Sequence, residues 1–154
     1  MRTDGDSLAA RRSRWSAQGK RVVFTNGCFD LLHPGHLSLF EEAASLGDVL
    51  VVAINDDDSV RRLKGAGRPI YPAGERAELL SALRWVDCVT VFPEDTPRRV
   101  IEEVRPDVLV KGAEYGEGEI VGEDLVASYG GSVRRIPMRA GYATSRIVKR
   151  IVDE

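Results

Sequence analysis

The sequence predicts an α/β fold: one doubly wound domain with a mainly five-stranded parallel sheet and helices on both faces. Three observations carry that expectation. Short apolar runs rich in β-branched residues alternate with helix-spaced segments about five times along the chain. These runs are continuously apolar instead of alternating with polar residues, as in strands buried on both faces. Finally, 154 residues, 43% hydrophobic and 30% charged, are enough for one core and too few for two.

Taken in order, residues 1–20 are polar and charged, with Leu8 and Trp15 as the large apolar side chains after Met1. They read as a polar arm or short helix outside the core, and the domain proper spans 21–154. Val22-Val23-Phe24 is the first strand, ended by Asn26-Gly27. Leu37, Phe40, Glu41, Ala44 and Ser45 recur at helical spacing, with Gly47 placed as a C-cap. Val49 to Ile54 is the second strand, and Asn55 to Ser59 supply a turn and an N-cap. Glu75 to Leu83 follows as a helix with Leu79, Leu80 and Leu83 as its core side. Cys88 to Phe92 is the third strand. Thr96 as N-cap and Pro97 at the first helical position open another helix, which Pro106 stops. Val108-Leu109-Val110 forms the fourth strand and Ser132 to Ile136 the fifth, with a short helix within Gly118–Tyr129. Thr144 or Ser145 caps a last helix running towards Val152.

Composition excludes several functions. A formal charge of -2 offers no global field for nucleic acid, so local groups must hold any anionic ligand. No run of eighteen apolar residues exists to span a membrane. The first twenty residues carry five Arg or Lys but no apolar stretch of the secretory kind. Cys28 and Cys88 form no CxxC pair and describe neither a zinc site nor a disulfide framework, which points to the cytoplasm.

In a doubly wound sheet, ligands bind beyond the carboxyl ends of the strands. Both histidines of the chain fall just there, as His33-Pro34-Gly35-His36 after the first strand. At the mouth of a helix, unpaired N–H groups and the helix dipole favour phosphate. Two imidazole donors at that point can hold phosphate oxygens as charge develops in a transition state. Gly35 lets the backbone approach a ligand closely, and Pro34 restrains the turn. The bland alternatives are a helix-capping pair, or with Cys28 half of a zinc site, although such sites usually take four ligands. Arg61 to Pro69 holds four cations and two glycines, describing either a mobile loop that closes on a polyphosphate or a solvated basic loop. Asp56-Asp57-Asp58 reads as a solvated turn, since adjacent residues rarely point at one ion. A dehydrogenase would need Gly-x-Gly-x-x-Gly after the first strand and a P-loop kinase Gly-x-x-x-x-Gly-Lys-Ser/Thr. Neither is present.

Read together, Gly27-Cys28-Phe29-Asp30 and His33-Pro34-Gly35-His36 resemble the Gly-x-Phe-Asp…His-x-Gly-His signature of the cytidylyltransferase-like nucleotidyltransferases. The resemblance runs from about Arg21 to Ile151. It implies a Rossmann-like sheet and nucleotidyl transfer from a nucleoside triphosphate. It also implies Mg²⁺ carried by the nucleotide phosphates, with no protein metal site. His33, His36 and Lys64 are the catalytic residues it implies. Asn26, Gly27, Cys28, Phe29 and Gly35 would bind the nucleotide, with Arg139, Thr144 and Ser145 at its outer phosphates. Lys111-Gly112-Ala113-Glu114-Tyr115, with Arg62–Gly65, Trp85–Asp87 and Glu94–Pro97, resembles the ADP-heptose synthase branch, which usually reads Lys-Gly-Gly-Asp-Tyr. Ala113 and Glu114 depart from that pattern. The branch implies ATP and D-glycero-β-D-manno-heptose 1-phosphate, with Asp30, Arg76, Lys111, Gly112, Glu114 and Tyr115 at the substrate. For Arg76 a plain surface charge is the alternative. Arg139 leans instead towards a CTP-dependent enzyme of glycerol 3-phosphate, and a non-catalytic nucleotide-binding domain is the rival from another class. Many relatives carry a sugar kinase upstream. The twenty-residue arm leaves no room for one, so a separate kinase is expected, and by analogy a homodimer.

Overall fold

The computed structural model describes residues 6–113, 115–116 and 118–153. The chain runs α1 (Leu8–Ala17), β1 (Val22–Gly27), α2 (Pro34–Ala44), β2 (Val49–Asn55), α3 (Asp57–Lys64) and α4 (Ala73–Ser81). It continues β3 (Cys88–Phe92), α5 (Arg98–Val104), β4 (Val108–Gly112), α6 (Glu123–Ser128), β5 (Ser132–Ile136) and α7 (Thr144–Asp153). The strands form one parallel sheet in the order β3-β2-β1-β4-β5. Because side chains alternate along a strand, each apolar run feeds two cores. Val22, Phe24, Val51 and Leu109 pack with residues of α1, α5 and α6. Val23, Leu50, Val52 and Val110 pack with α2 and α4 on the opposite face. This is the expected layered, Rossmann-like α/β architecture. Among the described residues no helix is long and apolar enough to cross a membrane.

The amino edge of the sheet is stitched by three aspartates, each standing just before a strand. Asp48 accepts a hydrogen bond from the Arg21 N–H, Asp87 from Leu50 and Asp107 from Val22, each at 2.8 Å. The carboxyl edge is different at one place. β1 pairs with β2 from Val22–Val49 through Gly27–Ile54, whereas its ladder with β4 covers Val23–Val108 and Phe24–Leu109. Beyond Phe24, side chains take over. The Thr25 hydroxyl donates to the Val110 carbonyl at 2.9 Å, and Lys111 Nζ to the Asn26 carbonyl at 3.0 Å. The sheet therefore parts between β1 and β4, the switch point at which chain order reverses direction.

Several local expectations need correction. The first segment is not outside the core: Leu8 and Trp15 of α1 are buried in it. Ser7 caps α1 by accepting from the Ala10 N–H. Leu8, Arg11 and Trp15 share one side of this helix, and Arg11, stacked on Trp15, hides the apolar stripe from a composition-based reading. Gly47 does not cap α2, which ends at Ala44 with Ser45 as its C-cap. A Cβ there would stand 2.7 Å from Val23 Cγ2 and 2.8 Å from the Arg21 carbonyl, so the glycine serves a close backbone pass. On α4 the buried residues are Arg76, Ala77 and Leu80, while Leu79 is 44% exposed. Pro97, not Thr96, occupies the α5 cap position, and no side chain caps it. Arg61 to Lys64 belong to α3, so the first half of the supposed basic loop is helical.

Candidate active site at the switch point

A cleft of about 690 Å³ opens where β1 and β4 diverge. Its floor is the end of β1 and the following loop, Asn26 to Asp30, with His33 and His36. Phe29 adopts φ 45°, a left-handed conformation uncommon for a non-glycine residue. Its ring passes over Gly27, where a Cβ would sit 3.0 Å from the ring, and packs on Phe40 and edge-on to His36. A side chain at 27 would press on that ring, which would have to shift by a few tenths of an ångström.

The two imidazoles lock each other. His33 stands at the N-cap of α2 with extended backbone, and its Nδ1 accepts from the Gly35 N–H at 3.1 Å. His36 Nδ1 accepts from the His33 N–H at 3.2 Å. The rings stack with centroids 3.7 Å apart. With both Nδ1 atoms accepting, the neutral rings must carry their protons on Nε2. Burial lowers the pKa of His33, and burial together with the neighbouring His33 lowers that of His36 to about 4. The pair is thus a set of neutral Nε2–H donors at a helix N-terminus near pH 7. The pair caps α2 while both rings line the cleft. Gly35 does not line the cleft. It is squeezed behind, where a Cβ would meet the His33 ring at 2.9 Å and Tyr142 Cβ at 3.1 Å.

Asp30 is buried, and its carboxylate accepts from Arg68 Nε at 2.9 Å, the Ile70 N–H at 2.7 Å and the Tyr71 N–H at 2.9 Å. Burial opposes its charge, but those N–H groups and the Arg68 guanidinium outweigh it and hold the carboxyl below its usual range. Its oxygens accept three hydrogen bonds from the segment after α3, so it anchors that segment while lining the cleft floor. Arg76 does not line the cleft, and it is not a surface charge. It is 1% exposed and donates to the carbonyls of Tyr71, Cys28 and Asn55 and to Asp57. One guanidinium beneath the cleft thereby ties the ends of β1 and β2 to the start of α3.

One wall carries Lys64 and Leu63 from the last turn of α3, with Arg68 and Asp95. Asp95 accepts from Arg62 Nε at 2.8 Å. The opposite wall carries Lys111, Gly112 and Tyr115, with Lys111 Nζ over the Tyr115 ring at 5.2 Å. A third side comes from the start of α7, where Thr144 and Ser145 line the cleft and the Thr144 hydroxyl donates to the Leu31 carbonyl at 3.1 Å. That bond spends the hydroxyl on the histidine loop instead of on its own helix. Arg139 does not line the cleft; its guanidinium lies over the Tyr142 ring at 5.1 Å. Glu114 lies outside the described residues. Cys28 lines the floor, with burial pushing its thiol pKa up, so it stays a neutral thiol at pH 7. Among the described residues no group of three His, Cys, Asp or Glu gathers to hold a metal ion.

Sequence reasoning named no individual role for Asn55, Leu63, Asp95, Met138 or Tyr142, all of which line the cleft, and gave Arg68 only as one cation of the basic loop. Asn55 carried a signal, being a polar residue at the end of an apolar strand. Met138 and Tyr142 carried none beyond their place after β5.

The model of a family described as cytidylyltransferase-like matches residues 24–148. The chain is 51% identical over 148 residues to the bifunctional protein HldE of Syntrophotalea carbinolica, covering 96% of this chain and 29% of that one. It is 54% identical over 135 residues to the bifunctional protein HldE of Gluconobacter oxydans, covering 88% and 28%. The chain thus spans less than a third of the length of these curated relatives. Among solved structures it is similar to the lipopolysaccharide core biosynthesis protein of Thermoplasma volcanium, at TM-score 0.65 and 29% identity, over 79% of this chain and 98% of that one.

Proposed function

Because the chain belongs to the cytidylyltransferase-like family, we propose that it transfers an adenylyl group from ATP to a sugar 1-phosphate, D-glycero-β-D-manno-heptose 1-phosphate by preference. In this reading a sugar phosphate oxygen attacks the α-phosphorus in line, the bond to the β-phosphate oxygen breaks, and pyrophosphate leaves. No residue becomes covalently attached, so catalysis is positioning plus stabilisation of charge. The observation that carries the proposal is the locked histidine pair, two Nε2–H donors presented at a helix N-terminus inside the cleft. Such donors suit phosphate oxygens that gain charge in the transition state and need no reorganisation when it forms. Lys64 neutralises the departing pyrophosphate, and the N-terminus of α7 with the Ser145 hydroxyl holds its far end, Thr144 contributing its place in that helix end and not its hydroxyl.

The donor set fits a divalent ion carried by the ligand and not one caged by protein. Asp30 accepts three hydrogen bonds from the segment after α3, and Asp95 is paired with Arg62. Mg²⁺ bound to the triphosphate supplies charge neutralisation there. The preference for ATP and a heptose phosphate rests on Lys111-Gly112 and Tyr115 and on similarity to bifunctional HldE proteins. The similarity to a lipopolysaccharide core biosynthesis protein supports the same direction. Arg139 is held on Tyr142 and does not itself line the cleft, which weighs against the glycerol 3-phosphate alternative. A cytoplasmic location, which rests on the cysteine usage, and a homodimer, which rests on the sequence resemblance, belong to the same proposal.

The test is a pyrophosphate-release assay of heptose 1-phosphate and glycerol 3-phosphate, each with ATP and CTP. ATP with the heptose phosphate should be the fastest pair. His36→Ala should lower kcat by about a hundredfold or more, the loss typical of a transition-state donor. A folded His36→Ala protein with near wild-type turnover would sink the assignment.

A further inference from the structure

Behind the Tyr115 wall lies a brace that the reaction as proposed does not use. Arg135 projects from β5, and its Nε donates to the Tyr115 carbonyl at 2.8 Å. Its Nη2 donates to the next carbonyl, that of Gly116, at 2.9 Å and to Glu123 Oε1 at 3.0 Å. Glu123 in turn accepts from the Gly118 N–H through Oε2 at 2.9 Å, and Glu119 accepts from the Gly116 N–H at 2.8 Å. Arg135 and Glu123 are both mostly covered, with side-chain exposures of 28% and 22%. A guanidinium that bridges two successive carbonyls fixes both peptide planes, which a single-point donor cannot do. The segment so fixed carries a ring into the cleft. Tyr115 has the Lys111 ammonium over its ring and 37% of its surface open.

We propose that Arg135 is a positioning residue for nucleotide binding. It acts through Tyr115, holding that ring where a nucleobase stacks on its open face. This rests on the nucleotide reading of the cleft given above. An aromatic wall held from behind costs the ligand no ordering entropy, so loss of the brace should appear in affinity and not in the chemical step.

The test measures ATP binding by equilibrium titration and steady-state kinetics for wild type, Arg135→Gln, Glu123→Gln, Tyr115→Ala and the Arg135→Gln/Tyr115→Ala pair. Thermal melts check that each variant folds. Arg135→Gln should raise the Kd and KM for ATP about tenfold with kcat within about twofold. Glu123→Gln should do the same more weakly. In the Tyr115→Ala background, Arg135→Gln should add less than twofold, since the residue through which it acts is gone. Additive effects of the pair, or a loss of kcat at unchanged KM, would overturn the inference. Should Arg135→Gln fail to fold, the Glu123→Gln variant decides by the same criteria. Binding of ATP without turnover of any phosphosugar would sink the transferase reading alone, leaving the Kd values to judge Arg135. No ATP binding by the wild type would overturn both.

Discussion

Arg76 and Asp30 show how a charge in a ligand-binding region can be wholly occupied by the fold. Asp30 lines the cleft and Arg76 lies beneath it, yet both hydrogen-bond the loops that shape it. A buried charge tolerates no missing partner, because its desolvation is then uncompensated. Replacing Arg76 with Met should therefore destabilise the protein by about 3 kcal/mol or more, since three carbonyls lose their donor together with Asp57. Chemical denaturation would report it, and a shift below about 1 kcal/mol would show that water replaces the guanidinium. Neither role was legible in the sequence. Motif matching identifies which positions matter, but a side chain that turns back into the protein looks the same on paper as one facing substrate. The histidines were legible because their spacing and the glycine between them leave few arrangements at a helix start.

At the level of elements, the strands were read with nearly the right bounds because continuous apolar runs of β-branched residues have little else to become. Errors gathered at helix ends and on helices whose buried side carries a charged residue. α1 is the clearest case, since Arg11 interrupts a stripe that otherwise pairs Leu8 with Trp15. Its contribution can be measured. Trp15→Ala should cost about 3 kcal/mol or more of stability, the range for a large aromatic removed from a core. The KM for ATP should stay unchanged, because α1 packs on the face opposite α2 and its histidines. A mutant of wild-type stability would return the segment to the status of an arm. Arg61 to Lys64 offer a second lesson. Helix α3 sets three acidic residues at its start and basic ones in its last turn, matching its dipole, so the basic run reads equally well as a helix end.

For the molecule as a whole, the histidine pair makes stability depend on pH with a definite sign. The folded state holds His36 at about 4 against an ordinary 6.5, and His33 is lowered as well. Between those values the unfolded chain binds protons that the folded chain refuses. The stabilisation is therefore complete above about pH 6.5 and is lost as pH falls towards 4. From pH 7 to pH 5 the His36 shift alone corresponds to about 2 kcal/mol. Urea midpoints at the two pH values would show it, and a His36→Gln variant should flatten the difference. An unchanged slope in that variant would assign the acid sensitivity elsewhere. The topology itself was readable from strand–helix alternation, but the strand order was not, and with it the location of the parting. Only the order β3-β2-β1-β4-β5 says which loops meet.

That parting has a mechanical side. Along most of the sheet neighbouring strands are welded by backbone ladders, but at the carboxyl end of β1 and β4 the weld gives way to Thr25–Val110 and Lys111–Asn26, two side-chain rivets. One lip belongs to the chain up to β3 and the other to the chain from β4 onward. A ligand lying across both lips would close a seam that the polypeptide leaves half sewn, and so clamp together the two halves of its own binding site.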